Sequence, residues 1–274
     1  MSNKTICAAI QMASSPNVGA NLLEAKRWIE KAATNGARLV VLPENFALMG
    51  MAETDKLAVA EAEGEGPVQE FLARTAERLR LWLVGGTIPL RAGDGKVRAS
   101  CLVFDDRGRQ VGRYDKIHLF DVNVPGTEES YRESETIEAG NEPLVLETPF
   151  GALGIAICYD LRFPELFRQM AESGLDILAV PAAFTARTGA AHWEILVRAR
   201  SVENLCYTIA SNQGGFHRNG RETFGHSMVV DPWGKILASL PTGAGVVCAE
   251  IDRERIRQVR TAFPVLDHRR LYCR

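Results

Sequence analysis

Cys158 stands at the end of the apolar run GALGIAIC and is followed at once by Tyr159, Asp160 and Arg162, so a thiol leaves a strand end beside charged groups. That setting suits a nucleophile. A free cysteine is more often a small buried hydrophobe, and both readings stand on position alone. Cys7, Cys101, Cys206 and Cys248, each within an apolar run, fit the buried one. A thiol attacks only as its thiolate, and with a free pKa of about 8.5 it needs a base or a nearby cation to act near neutrality. Glu44, just past LVVLP, and Lys116, just after RYD, offer one of each. A carboxylate at the end of a buried strand costs free energy unless it is paired. A plain salt bridge is the competing account of either residue taken singly.

Other constellations carry less. His226, Ser227 and Asp231 have the residue types of a serine hydrolase triad, but GHSMVVD lacks the G-x-S-x-G elbow, and adjacent strand positions face opposite ways. His192 and Glu194 lack the second histidine of H-E-x-x-H, and the glycines of NQGGFHRNG form neither a dinucleotide fingerprint nor a P-loop. The cysteines, with Cys273 the last, lie far apart without a CxxC pair, which argues against a zinc site or a disulfide framework. Neither metal nor cofactor is expected, and the thiols should be reduced.

The elements that position these residues alternate. TICAAIQ reads as a strand, residues 18–34 as a helix with Leu22, Ala25, Ile29 and Ala32/Ala33 at helical spacing, and Gly36 as its C-cap. ARLVVLPEN is a short continuous apolar run of the doubly buried kind, broken by Pro43, so Glu44 sits just beyond a strand end. A helix from Pro67 to about Arg80 leads into LWLVGGTIP, a strand ended by glycines and proline, and SCLVFDDRGRQVGRYDK reads as a hairpin turned at DDRG. Residues after Lys116, holding Pro125, Gly126 and Gly140, read as a long irregular stretch. GALGIAICYD is then a strand, a helix starts at Pro164 and stops before Gly174, LDILAVP is a strand, AHWEILVRARSVEN a helix and LCYTIASN a strand. SMVVDPWGKILASL makes a hairpin, and a helix over about 252–260 closes the series. Alternating strands and helices indicate an α/β layered fold, and no linker or repeat divides the 274 residues, so one domain over 1–274 is expected. The three singled-out residues fall at strand ends, where open α/β sheets place their crevices.

A formal charge of −2 with both signs interspersed leaves no basic stripe for nucleic acid and no polybasic membrane anchor. No apolar run approaches the roughly 18 residues of a membrane span, and the N-terminus lacks a secretory h-region. A cytoplasmic protein acting on a small soluble molecule is the expectation.

Taken together, LVVLPENF, YDKIHLFD and GIAICYDLRFPE resemble the Glu, Lys and Cys motifs of the nitrilase superfamily of carbon–nitrogen hydrolases, in matching order and spacing. The likeness extends over nearly the whole chain, through AIQM, PAAF, TGAAHWEILVRARSVEN, GHSMVVDPWG and PVLDHRR. The resemblance implies a four-layer αββα sandwich whose subunits pair by outer helices into a homodimer or larger homo-oligomer. It implies Glu44 as general base, Cys158 as nucleophile, and an oxyanion held by Lys116 and the backbone N–H of Tyr159. A second family glutamate corresponds to Glu133, with Glu128 and Glu129 as neighbours that an apparent insertion keeps open. Ammonia leaves, a thioester forms, and water hydrolyses it. A low-pKa, accessible thiolate of this kind would be open to oxidation to the sulfenic acid.

Tyr159-Asp160 in place of Trp-Glu points, by the same resemblance, to amides rather than nitriles. GHSMVVDPWG, AHWEILVRAR and PVLDHRR are most similar to the branch acting on deaminated glutathione, which implies hydrolysis of a terminal carboxamide to acid and ammonia. IHLFDVNVPG is similar to the ω-amidase branch, acting on α-ketoglutaramate and α-ketosuccinamate. Either substrate carries an α-keto acid end, for which Arg162 is the first candidate cation; an ion pair with Asp160 or Glu165 is the alternative. Phe184 and Thr188 are pocket residues by resemblance, and Arg187 is a second candidate cation. A catalytically silent binding protein and an acyltransferase using the same residues are the competing classes.

Overall fold

The computed structural model describes residues 3–126 and 128–271, and Cys273 lies outside them. In chain order the strands are β1 Lys4–Gln11, β2 Ala37–Val41, β3 Trp82–Val84, β4 Ile88–Arg91, β5 Val97–Phe104, β6 Gln110–Asp115, β7 Asp121–Asn123, β8 Ser130–Arg132 and β9 Leu144–Thr148. They continue with β10 Gly151–Ile155, β11 Ile177–Ala182, β12 Tyr207–Asn212, β13 Gly214–Phe216, β14 Glu222–Phe224, β15 Ser227–Val230, β16 Ile236–Leu240 and β17 Gly245–Asp252. The helices are α1 Val18–Thr34, α2 Asp55–Ala58, α3 Pro67–Leu79, α4 Pro164–Glu172, α5 Ala186–Asn204 and α6 Arg253–Ala262.

Two sheets stack. One runs β17-β1-β2-β3-β5-β4 with β6 paired to β5, and the other β16-β15-β12-β11-β10-β9. Period-two alternation explains the layering: on β1, Cys7 and Ala9 join the core between the sheets, while Ala8 and Ile10 face the other way. Leu39 and Val41 of β2 and Cys101 and Val103 of β5 follow the first pair, and Val40 and Leu102 the second. The outward set packs on Ala25, Ile29 and Ala32 of α1 and on Leu72 and Ala76 of α3. Phe167 of α4 and Trp193 of α5 cover the second sheet, whose β11 is buried along its full length. Helix, sheet, sheet and helix make the expected four-layer αββα sandwich.

Boundaries follow local chemistry. Asn17 caps α1 through Ala20 N–H at 2.9 Å, and Gly36 takes the left-handed conformation after it. Gly86, at φ +59°, ends β3 where a Cβ would stand 2.2 Å from the Pro43 carbonyl oxygen. The proline of LWLVGGTIP does not end that strand: Pro89 lies inside β4, an edge strand, where a residue without an N–H is tolerated. The stretch after Lys116 is also less irregular than its sequence suggests, since it holds the β7–β8 hairpin, a 3₁₀ turn and β9. GALGIAICYD is strand only to Ile155, and a 3₁₀ turn over Cys158–Arg162 follows.

Candidate active site

Glu44, Lys116 and Cys158 follow β2, β6 and β10 respectively, two from one sheet and one from the other, and the stacking turns all three into one chamber. Cys158 is 8% exposed and has φ +49°, a strained backbone for a residue with a side chain. The 3₁₀ turn that begins there aims its thiol off the strand end. Glu44 is held through its own backbone: its carbonyl accepts from Gln213 Nε2 at 2.9 Å, and the next amide, Asn45 N–H, donates to Thr87 Oγ1 at 2.8 Å.

Lys116, only 1% exposed, is the hinge of the charges. Its Nζ donates to Glu44 Oε1 at 2.8 Å and lies 2.9 and 2.8 Å from the two oxygens of Glu133. Phe120 N–H donates to Glu133 Oε2 at 2.8 Å, fixing the carboxylate from behind. Of the three neighbouring glutamates, Glu133 alone reaches Lys116; Glu128 and Glu129 line an outer cavity, and Glu129 accepts from Tyr131 Oη at 3.0 Å.

The electrostatics follow from this packing. Burial alone would lower the Lys116 ammonium, but Glu133 and then Glu44 outweigh it and hold its pKa well above the ordinary value. Burial acts to raise Glu133, and the Lys116 charge and hydrogen bond overcome it, leaving the carboxyl below its usual range. The Cys158 thiol is pushed well up, first by burial and then by Glu44, against the opposing pull of Lys116. Burial and the Glu44 carboxylate thus disfavour the thiolate, and the thiol is shielded from solvent rather than freely accessible.

The chamber is narrow. A larger groove beside α6 and Asp176 contains no nucleophile, so chemistry rather than size selects the smaller one. Phe184, Thr188 and Arg162 line the chamber. Arg162 pairs with neither Asp160 nor Glu165; its guanidinium meets His192 Nδ1 at 3.2 Å and lies over the rings of Phe184 and Tyr159, 5.4 and 5.8 Å from their centroids. Arg187 is absent from the lining, and its guanidinium packs against Gly126. A different arginine enters: Arg221, on the β13–β14 loop, donates to the Ala183 carbonyl at 2.7 Å, lies over Tyr131, and lines both the chamber and the outer cavity. Only its place in three dimensions marks it, since NQGGFHRNGRETFG carries no motif.

His226, Ser227 and Asp231 do not meet as a triad. His226 stacks on Phe224, Ser227 Oγ accepts from Asn212 N–H at 2.9 Å, and Asp231 caps its own turn through Trp233 and Lys235 N–H. Among the described residues no group of three or more His, Cys, Asp or Glu side chains is placed to hold a metal, and no helix is long and apolar enough to cross a membrane.

The carbon–nitrogen hydrolase family profile matches residues 6–261. The deaminated glutathione amidase of Synechocystis sp. is 46% identical over 268 residues, covering 96% of this chain and 97% of that protein. The human deaminated glutathione amidase is 37% identical over 269 residues, covering 97% and 82%. The crystal structure of the C. elegans NitFhit protein superposes with a TM-score of 0.91 at 37% identity, over 98% of this chain and 66% of that one.

Proposed function

The chain belongs to the carbon–nitrogen hydrolase family, and from that premise we propose that it is an amidase acting on deaminated glutathione through a Cys158 thioester. The observation that carries the mechanism is the buried cluster in which Lys116 joins two carboxylates in the chamber that holds the Cys158 thiol. Glu44 takes the thiol proton as Cys158 attacks the amide carbonyl. The oxyanion forms beside the Lys116 ammonium and the Tyr159 N–H, in the first turn of a helical segment where amides lack an internal acceptor. A donor of this kind is commonly worth about 3 to 4 kcal/mol in the transition state. Glu44 then returns the proton to the leaving amine, and the same carboxylate activates the water that cleaves the thioester. Glu133 holds Lys116 in place.

The leaving group needs one refinement over a terminal carboxamide. In deaminated glutathione the scissile amide nitrogen belongs to the cysteine residue, so cysteinylglycine departs, whereas α-ketoglutaramate loses ammonia; both yield 2-oxoglutarate. An outer cavity of about 550 Å³, lined by Asn45 and sharing Arg221 with the chamber, supports the larger leaving group. Arg162, stacked on Phe184, is the cation for the α-keto acid carboxylate. The exposed apolar side chains Ile195 and Val202 of α5, with Trp233 and Phe263 nearby, support a homodimer, which sedimentation equilibrium tests. We further propose one domain and a cytoplasmic location.

The deciding experiment measures 2-oxoglutarate from deaminated glutathione and from α-ketoglutaramate side by side, with Cys158→Ala as control. Preference for the first supports the proposal; preference for the second makes the protein an ω-amidase. Substrate loss without free 2-oxoglutarate would mark an acyltransferase, and silence on both would remove the substrate assignment. A Cys158→Ala protein as fast as the parent would end the thioester mechanism.

A further inference from the structure

The proposed mechanism leaves Asp160 unused, although it is fully buried and lies two residues past the nucleophile. Its carboxylate accepts four hydrogen bonds. Oδ2 receives Ile157 N–H at 2.8 Å and the Tyr114 hydroxyl at 2.8 Å; Oδ1 receives His118 N–H at 3.1 Å and lies 2.7 Å from His118 Nδ1. The bond to Ile157 closes the turn that carries Cys158. The other three come from residues two positions before and two positions after Lys116. Tyr114 is itself buried on β6, and His118 is stacked on Phe163 at 3.7 Å between centroids, so both donors are fixed.

The consequence lies in which sheet each partner belongs to. Tyr114, Lys116 and His118 are on or just beyond the end of β6 in the first sheet, and Cys158 leaves β10 in the second. The turn's other side-chain anchor, Arg200, donates from α5 to the Leu161 carbonyl at 3.0 and 2.6 Å, and so stays within the half that already carries Cys158. We propose that Asp160 is a positioning residue: by binding both flanks of Lys116 and the amide before Cys158, it sets the spacing between nucleophile and ammonium across the two sheets. The proposal rests on Cys158 being the nucleophile. It touches no reacting atom, so it should govern how fast the acyl-enzyme forms and not how tightly substrate binds.

The test is Asp160→Asn. The amide keeps the shape but turns an NH₂ group toward two of the four donors, which releases one side of the clamp. Misplacement of reacting groups by about 1 Å can cost roughly 100-fold. A loss of about 10- to 100-fold in kcat is expected, with KM within about threefold of the parent and a matching fall in the single-turnover rate of acylation. Tyr114→Phe, which removes one bond and no charge, should lower kcat by a few fold. In the double variant the two effects should combine to less than their product, because both changes weaken the same link. Folded sites are counted by stoichiometric alkylation of Cys158. If Asp160→Asn lowers melting temperature while kcat per folded site is unchanged, or if KM alone rises, Asp160 is merely structural and the proposal falls. Cys158→Ala, run in parallel, separates the two levels: an inactive Cys158→Ala beside a fully active Asp160→Asn rejects only the positioning role. An active Cys158→Ala rejects the nucleophile and the proposal with it.

Discussion

Replacing Lys116 with methionine keeps most of the side-chain volume and removes the cation on which the site is built. The ammonium is 1% exposed and makes contacts of 2.8 Å to Glu44 and 2.8 Å to Glu133, so nothing in solvent compensates for its loss. Breaking a buried pair by deleting one partner typically costs about 3 to 5 kcal/mol, because the remaining charge is stranded. Here two carboxylates are stranded facing each other, which puts the expected destabilisation at the upper end of that range.

The pH dependence should also change sign. In the parent the Glu133 pKa lies below 4.5, so its contribution is present above about pH 4.5 and is lost as pH falls through the lower folded value. Without Lys116, burial, the largest influence on Glu133, is opposed only by the Phe120 N–H bond and the Lys56 charge, and the Glu133 pKa is expected to rise above 4.5. The folded variant then binds more protons than the unfolded chain, and its stability increases as pH falls from 7 toward 5. Urea unfolding followed by tryptophan fluorescence between pH 5 and 8 reads both effects. A loss under about 1 kcal/mol, or a stability that does not increase as pH falls from 7 toward 5, would refute the account of Lys116 as the buried counterion. Turnover should drop by about 10²- to 10³-fold, the usual cost of an oxyanion donor.

The two arginines should separate by substrate. Arg162→Met is expected to raise KM about 10- to 100-fold for deaminated glutathione and for α-ketoglutaramate alike, since a charged hydrogen bond is worth about 1.5 to 3 kcal/mol and both carry the α-keto carboxylate. Arg221→Met, which alters the side of the chamber facing the outer cavity, should raise KM for deaminated glutathione and leave α-ketoglutaramate nearly unchanged. Equal effects of Arg221→Met on both would place the leaving group elsewhere.

Much of this architecture is legible in the chain because doubly buried strands have a strong signature. LVVL and ILAVPA are continuous apolar runs, and their strands lie in the middle of parallel ladders with helices or a second sheet on either side. What escapes reading is what lies at edges or is short. LVLET of β9 is only half-buried and has one neighbour, β7 and β8 have three residues each, and β17 alternates buried and half-exposed positions without a turn signal. β17 is nonetheless paired to β1 along eight residues, a long-range partnership that no local pattern announces.

The candidate site divides along the same line. Glu44 and Cys158 are conspicuous because each ends an apolar run, and Lys116 through the YDKIHL motif that carries the resemblance. Glu133 was not separable from Glu128 and Glu129 by spacing, since the intervening loop decides which carboxylate turns inward. Arg187 and Arg221 look alike in sequence. The first turn of α5 points Arg187 at Gly126, while the β13–β14 hairpin carries Arg221 back to the chamber wall. Asp160 looked like a possible partner for Arg162, and its bonds to Tyr114 and His118 became visible only with the two sheets stacked.

A protonated thiol is compatible with a nucleophile here because of how the cluster's charge is balanced. Lys116 with the ionised Glu44 and Glu133 gives a net charge of −1, and a resting thiolate would make it −2 in a buried chamber. Moving the thiol proton to Glu44 leaves the total unchanged and places an acid where the leaving amine needs one. As Cys158 adds to the carbonyl, the negative charge passes to the oxyanion beside Lys116, again without altering the sum. Burial and Glu44 make the resting thiolate unfavourable, and Glu133 adds a second negative charge to the same cluster through Lys116. Glu133→Gln would bring the cluster to neutrality with Cys158 protonated, so the thiol should titrate at lower pH than in the parent. Turnover should fall all the same, because Lys116 loses one of its two anchors. The pH profile of iodoacetamide alkylation at Cys158, beside kcat, reads the two together. A midpoint unmoved or shifted upward would mean that Glu133 does not govern the thiol, and that the constant-charge reading of this site is wrong.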